Sequence, residues 1–259
     1  MAAKARDACR HEGESVLSRL AARAALAVLD ATLVLGLMGG IYELTLPGVT
    51  NAPTLTAKIL HAHHDPAGRT PPPSKLAAAV VAVEDEHFYS DPVVNEFDGI
   101  ARAALATLHT TSDPGGSTIP QQLAKQLYGS GTGFGATLED IGLGLKLSFA
   151  FSHAQVLVMY LNAAYYGNGY WGDVAASRGY FGISPNRLDW AEAAMLAGLL
   201  QAPSAYDPVT HFILAKQRQR EVLDQLVVNH WLTEAQATEA SLESLPLRSH
   251  VSSVAPTKG

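Results

Sequence analysis

The sequence predicts an all-α fold, a helical domain carried by one N-terminal transmembrane helix, and three observations at the level of residues point to helices and an anchor. Alanine is the commonest residue, while Val, Ile and Thr never gather into long alternating runs, which favours helices over sheets. Hydrophobic residues make up 47% of the 259, enough for a large core and too many for a disordered chain. Charged residues reach only 16%, against roughly 25% in an average soluble protein, and the first forty residues hold one reason for the deficit. A net charge of −6 excludes the broad basic footprint of a nucleic-acid binder, so no nucleic-acid partner is expected. A single cysteine, Cys9, excludes a disulfide framework and a thiolate zinc cluster.

The elements follow in order. Residues 24–42 carry one charge, Asp30, and as a helix would span about 28 Å, close to the ~30 Å hydrocarbon core of a bilayer. Lys4, Arg6, Arg10, Arg19 and Arg23 precede this stretch, and no basic residue follows it until Lys58. The positive-inside rule then places residues 1–23 in the cytoplasm and the remainder outside the cytoplasmic (inner) membrane. Asp30 costs roughly 2.5–3.5 kcal/mol at a helix centre on insertion scales. A cleaved signal peptide is the first alternative, but the exit MGGIYELTLPG lacks an A-x-A-like site; a buried soluble helix is the second.

Residues 43–73 read as a linker, broken by Pro47, Pro53, Pro66 and the run at 71–73. His61, His63, His64 and Asp65 are metal-ligand types, but within this linker they read as a solvated loop. Residues 74–245 read as one helical domain. Ser74 is expected to cap a helix over 75–86, and Ser117 one containing Pro120 in its first turn. Ser152 with Gln155, and Thr233 with Gln236, have capping-box spacing; Asp189 and Glu192 open the apolar run WAEAAMLAGLL. The glycine-rich stretch 129–135 lacks the spacing of a phosphate loop and reads as a mobile loop beside a site. Residues 246–259 read as a disordered tail.

Two segments place polar residues where a helical core would favour apolar ones. In VAVEDEHFYSD, Glu84 follows an apolar run with Phe88 and Tyr89 beside it, surroundings that disfavour a carboxylate's charge and suit it to proton transfer. In GGSTIPQQLAKQL, two glycines and two hydroxyls open a helix whose free N–H groups would attract anions, with Lys125 two turns in.

The order of these blocks resembles the peptidoglycan glycosyltransferases of family 51, which include the monofunctional transglycosylases and the glycosyltransferase modules of class A penicillin-binding proteins. Glu84, Asp85 and Phe88 match E-D-x-x-F, and residues 115–125 match G-G-S-T-I-x-Q-Q-L-A-K. Tyr160, Leu161 and Asn162 match Y-L-N; further matches run through Tyr180, Phe181 and Gly182, then E-A-A-x-L-A-G-L at 192–199, A-P-S-x-Y-x-P at 202–208, and Arg218. The resemblance covers about residues 70–240. It implies a lysozyme-like domain that polymerises lipid II onto a growing glycan chain in cell-wall synthesis. Glu84 then matches the catalytic general base, and Asp140 a second acidic position that would share catalysis and hold a divalent cation, Mg2+ or Mn2+. Asp85, Phe88, Gly115, Gly116, Ser117, Thr118, Gln121, Gln122, Lys125, Tyr160, Asn162 and Arg218 match positions that shape the substrate site. Penicillin-binding transpeptidases or other cell-wall proteins are the implied partners.

Several positions depart from that pattern. Ala136 and Thr137 stand where the family has a basic pair, Asp140 replaces a glutamate, and His153 replaces a lysine. Losing two cations removes phosphate-binding charge, and Asp for Glu shortens a carboxylate's reach by one methylene. The alternatives are a catalytically degenerate scaffold that binds lipid II and a lysozyme-like hydrolase. The chain lacks an S-x-x-K tetrad, so no fused transpeptidase is expected.

Overall fold

The computed structural model describes residues 23, 25–26, 28–30, 32–34, 36–63, 71–89, 117–129 and 131–248. The chain divides into two compact units, Met1–Pro47 and Gly48–Gly259. In the first, one helix contains the apolar window Val28–Thr45, long and apolar enough to cross a membrane. It runs three residues beyond the predicted end at Tyr42, because nothing in Glu43, Leu44 or Thr45 breaks a helix. Two hydroxyls along it bond to their own backbone, Thr32 to the Leu29 carbonyl at 2.8 Å and Thr45 to that of Tyr42 at 2.7 Å. Such bonds let threonines sit in an apolar helix without an orphaned donor.

The second unit contains only helices among its described residues, apart from one isolated bridge between Tyr165 and Trp171. They are α1 (Ala52–Ala62), α2 (Ser74–Glu84), α3 (Ile119–Tyr128), α4 (Phe134–Ala150), α5 (His153–Ala163), α6 (Asp173–Phe181), α7 (Trp190–Leu199), α8 (Phe212–Val228) and α9 (Glu234–Leu242), with a 3-10 turn at Pro185–Arg187. α1 corrects the linker reading. Pro53 lies in its first turn, where a missing N–H costs nothing, and Ala52, Thr56 and Leu60 form a buried stripe. His63 ends α1 and stacks on Trp171 at 4.4 Å, so it is part of the packing and not a loose loop residue; His64 and Asp65 lie outside the described residues.

α2 buries every residue from Leu76 to Ala82, and α7 every residue from Ala191 to Leu199. Helices so thoroughly buried and so largely apolar belong at the centre of a core. Around them α2, α7 and α8 pack together, with α9 on α8, while α3 packs on α4 and α5, and α1 on α5. The end of α2 and the start of α3 therefore meet at a seam between two groups of helices. Two glycines set close approaches. At Gly144 in α4, a Cβ would stand 2.9 Å from the Gln121 backbone nitrogen of α3; at Gly198 in α7, one would stand 2.9 Å from Arg218 Cγ of α8.

Three predicted caps form as complete capping boxes: Ser152–Gln155, Asp189–Glu192 and Thr233–Gln236. Two others move. Ser74 is the first helical residue of α2, with Pro73 before it as the cap, and the helix stops at Glu84, not Glu86. On α3 the cap is Thr118, not Ser117.

Candidate functional site

Glu84 is the last residue of α2, half-buried, and the helix ends there because Asp85 turns the backbone away at φ −159° and ψ 79°. That turn sends the Asp85 side chain across the seam, where its Oδ2 accepts from the backbone N–H of Ile119, the first residue of α3, at 2.9 Å. A carboxylate on a helix N-terminus is favoured by both the hydrogen bond and the helix dipole. Asp85 is only 2% exposed, so it joins the two helix groups and does not face solvent.

Above this joint, Gln122 spans two elements. Its Nε2 donates to Glu84 Oε2 at 2.9 Å and to the Ser117 carbonyl at 3.4 Å, and its Oε1 accepts from the Tyr160 hydroxyl at 2.6 Å. Tyr160 on α5 is 1% exposed. Burial pushes its phenol well above the ordinary range, and the nearby Glu84 charge pushes the same way, so it keeps its proton. Tyr160 thus stands behind Gln122, its hydroxyl engaged there and its ring away from solvent. Asn162, 4% exposed at the end of the same helix, is likewise buried.

Of the backbone expected to form an anion site at the start of α3, residues 117 and 118 are described, and the N–H groups from Thr118 onward are engaged within the protein. The Ile119 N–H goes to Asp85, Pro120 has none, and the Gln121 N–H goes to the Thr118 hydroxyl at 3.4 Å. The Gln122 N–H bonds the Thr118 carbonyl at 3.0 Å, and the Thr118 N–H reaches Gln121 Oε1 at 3.4 Å. The helix N-terminus is thus closed by its own cap and by Asp85, leaving none of these groups for a phosphate. Thr118 and Gln121 are buried and shape the joint; Ser117 and Lys125 are exposed and remain the groups here that face solvent. Gly115 and Gly116 lie outside the described residues.

Beside Glu84, Phe88 is 2% exposed and forms an edge-on cluster with Tyr89 at 5.1 Å and His153 of α5 at 5.3 Å; Tyr89 lies 5.7 Å from His153. His153 therefore packs on the segment following Glu84, a contact that sequence separation concealed. Asp140 is half-buried on α4, one turn before Gly144 and so on the face that approaches α3. Arg218 is not gathered with these groups. It lies against Gly198 and pairs with Glu221 at 2.9 Å.

Among the described residues no three His, Cys, Asp or Glu side chains form a group that could hold a metal ion by themselves; a divalent cation here would rest on one or two carboxylates, Asp140 among them, together with the phosphates of a substrate, the usual way Mg2+ is held.

Sequence comparison gives the company this site keeps. Residues 55–227 match the family described as Transglycosylase. The chain is 34% identical over 223 residues to a protein of Cupriavidus necator named as a transglycosylase, covering 83% of this chain and 95% of that one. It is 39% identical over 170 residues to penicillin-binding protein 2a of Streptococcus pneumoniae and 37% identical over 175 residues to penicillin-binding protein 1A of Neisseria gonorrhoeae. Those matches cover 64% and 67% of this chain but only 22% of each relative, so the chain spans about a fifth of their length.

Proposed function

The chain belongs to the transglycosylase family of peptidoglycan glycosyltransferases, and we propose that it polymerises lipid II into β-1,4-linked glycan, releasing undecaprenyl pyrophosphate. The observation that carries this reading is the placement of Glu84: a half-buried carboxylate at the end of an apolar helix, with one oxygen held at 2.9 Å by Gln122. In the proposed step Glu84 takes the proton of the acceptor sugar's 4-hydroxyl. That oxygen bonds to the anomeric carbon of the growing chain, the bond from this carbon to the lipid pyrophosphate breaks, and the configuration inverts. General base catalysis of this kind contributes typically 10²–10⁴-fold.

The leaving pyrophosphate builds negative charge. Lys125, exposed on α3, is the cation in this reading that meets it, since the α3 N-terminus is closed and Ala136 and Thr137 replace the basic pair. The N-terminal apolar helix fits a lipid-linked substrate, which has to be met at the bilayer surface. In this reading the N-terminus is cytoplasmic and the helical domain is outside, beside other cell-wall proteins.

The test is product analysis with labelled lipid II and purified full-length protein, with Glu84→Gln as control. A glycan ladder from the wild type that is lost in the variant supports polymerisation. Shortening of finished glycan would replace it with a hydrolase, and lipid II bound but unconsumed would replace it with a scaffold.

A further inference from the structure

We infer that Tyr160 is a positioning residue for Glu84 and acts through the side-chain amide of Gln122; the inference rests on the catalytic reading of Glu84 given above. A glutamine beside a carboxylate can present either its NH2 or its oxygen, and only the first attracts. Tyr160 decides between them. Its hydroxyl donates to Gln122 Oε1 at 2.6 Å, which turns Nε2 toward Glu84 Oε2 at 2.9 Å.

The placement leaves Tyr160 little freedom to do otherwise. It is fully buried on α5, and its neighbours Val156, Leu157, Leu161 and Ala163 on that helix are each at most 1% exposed, so the ring is fixed by packing. Its phenol keeps its proton, for the reasons given above, and remains a donor. The second amide contact, to the Ser117 carbonyl, is longer at 3.4 Å and by itself leaves the amide free to swing. The chain of bonds thus transmits the position of α5 to a carboxylate on α2 through a residue of α3. Aiming matters in such a site, where misplacement of about 1 Å can cost 100-fold.

The test compares Tyr160→Phe, Gln122→Ala and the double variant with the full-length wild type. Loss of one such bond is expected to lower kcat about tenfold with KM unchanged, because the buried Tyr160 acts through Gln122. The double variant is expected to match Gln122→Ala alone. Unchanged kcat in Tyr160→Phe, a rise in KM instead, or additive losses in the double variant would overturn the inference while leaving the polymerase reading in place. A second measurement needs no turnover: the carbon-13 resonance of the Glu84 side-chain carboxyl, assigned with Glu84→Gln. It is expected to move in Tyr160→Phe and to move equally in Gln122→Ala, and an unmoved resonance in folded Tyr160→Phe would overturn the inference. Absence of polymer from the wild type would sink the polymerase reading, and this resonance would still decide whether Tyr160 positions Glu84.

Discussion

Asp207 illustrates how one side chain can hold several loops. Its Oδ1 accepts from Asn168 Nδ2 at 2.8 Å and from the Val209 N–H at 3.0 Å, and its Oδ2 accepts from the Thr210 hydroxyl at 2.7 Å. Asn168, held at φ 50°, also donates to the Tyr180 hydroxyl at 3.1 Å, which in turn donates to the Tyr166 carbonyl at 2.9 Å. Burial raises the Asp207 pKa, but the three donors outweigh it and leave the carboxyl below its ordinary value. A group with a depressed folded pKa stabilises above its unfolded value of roughly 3.9, and that stabilisation disappears as pH falls through the folded value. Asp207→Asn is therefore expected to cost about 1–2 kcal/mol at pH 7 in urea unfolding. The difference from wild type should shrink below about pH 4, and a constant difference down to pH 3 would contradict the argument. None of this hub was legible from sequence, because residues 168, 180 and 207 meet only through tertiary folding. The family motif did place Glu84, Gln122 and Tyr160 in one set; that Tyr160 lies buried behind the other two, bonded to Gln122, is seen only in the structure.

At the scale of elements, local signals were legible where the cap and its partner lie three residues apart. Ser152–Gln155, Asp189–Glu192 and Thr233–Gln236 all form as spaced. The cap of α3 moved by one residue because Asp85, 34 positions upstream, takes the Ile119 N–H, an arrangement no window on the sequence contains. α1 was hidden by the prolines within and around it, at 47, 53 and 66, although the buried stripe of Ala52, Thr56 and Leu60 was present at helical spacing. The α3–α4 contact gives a test in which two effects oppose. Alanine is favoured over glycine within a helix by about 1 kcal/mol. At Gly144, however, a Cβ would stand 2.9 Å from the Gln121 nitrogen and 3.1 Å from its Cα, backbone that is fixed by the Thr118 cap. Overpacking of this kind costs typically 1–3 kcal/mol, so Gly144→Ala should lower the melting temperature. A raised melting temperature would show that the two helices separate more easily than their packing implies.

At the scale of the whole molecule, composition divides between the two units. The low charge comes partly from the N-terminal helix and partly from a core in which α2 and α7 are mostly apolar and buried. If the window Val28–Thr45 spans a bilayer, the full chain should remain in the membrane pellet after alkaline carbonate extraction; recovery in the supernatant would contradict the anchor. The family and the helical architecture were legible because ordered motifs survive divergence. The closed α3 N-terminus was not, since it depends on where Asp85 and Thr118 point. The central claim is that Glu84 makes this domain a polymerase. The most direct measurement is the initial rate of labelled lipid II consumption by wild type and by Glu84→Gln of equal melting temperature. The account predicts a rate lower by about 10²–10⁴ in the variant, with glycan polymer from the wild type. Equal rates in the two proteins would contradict it.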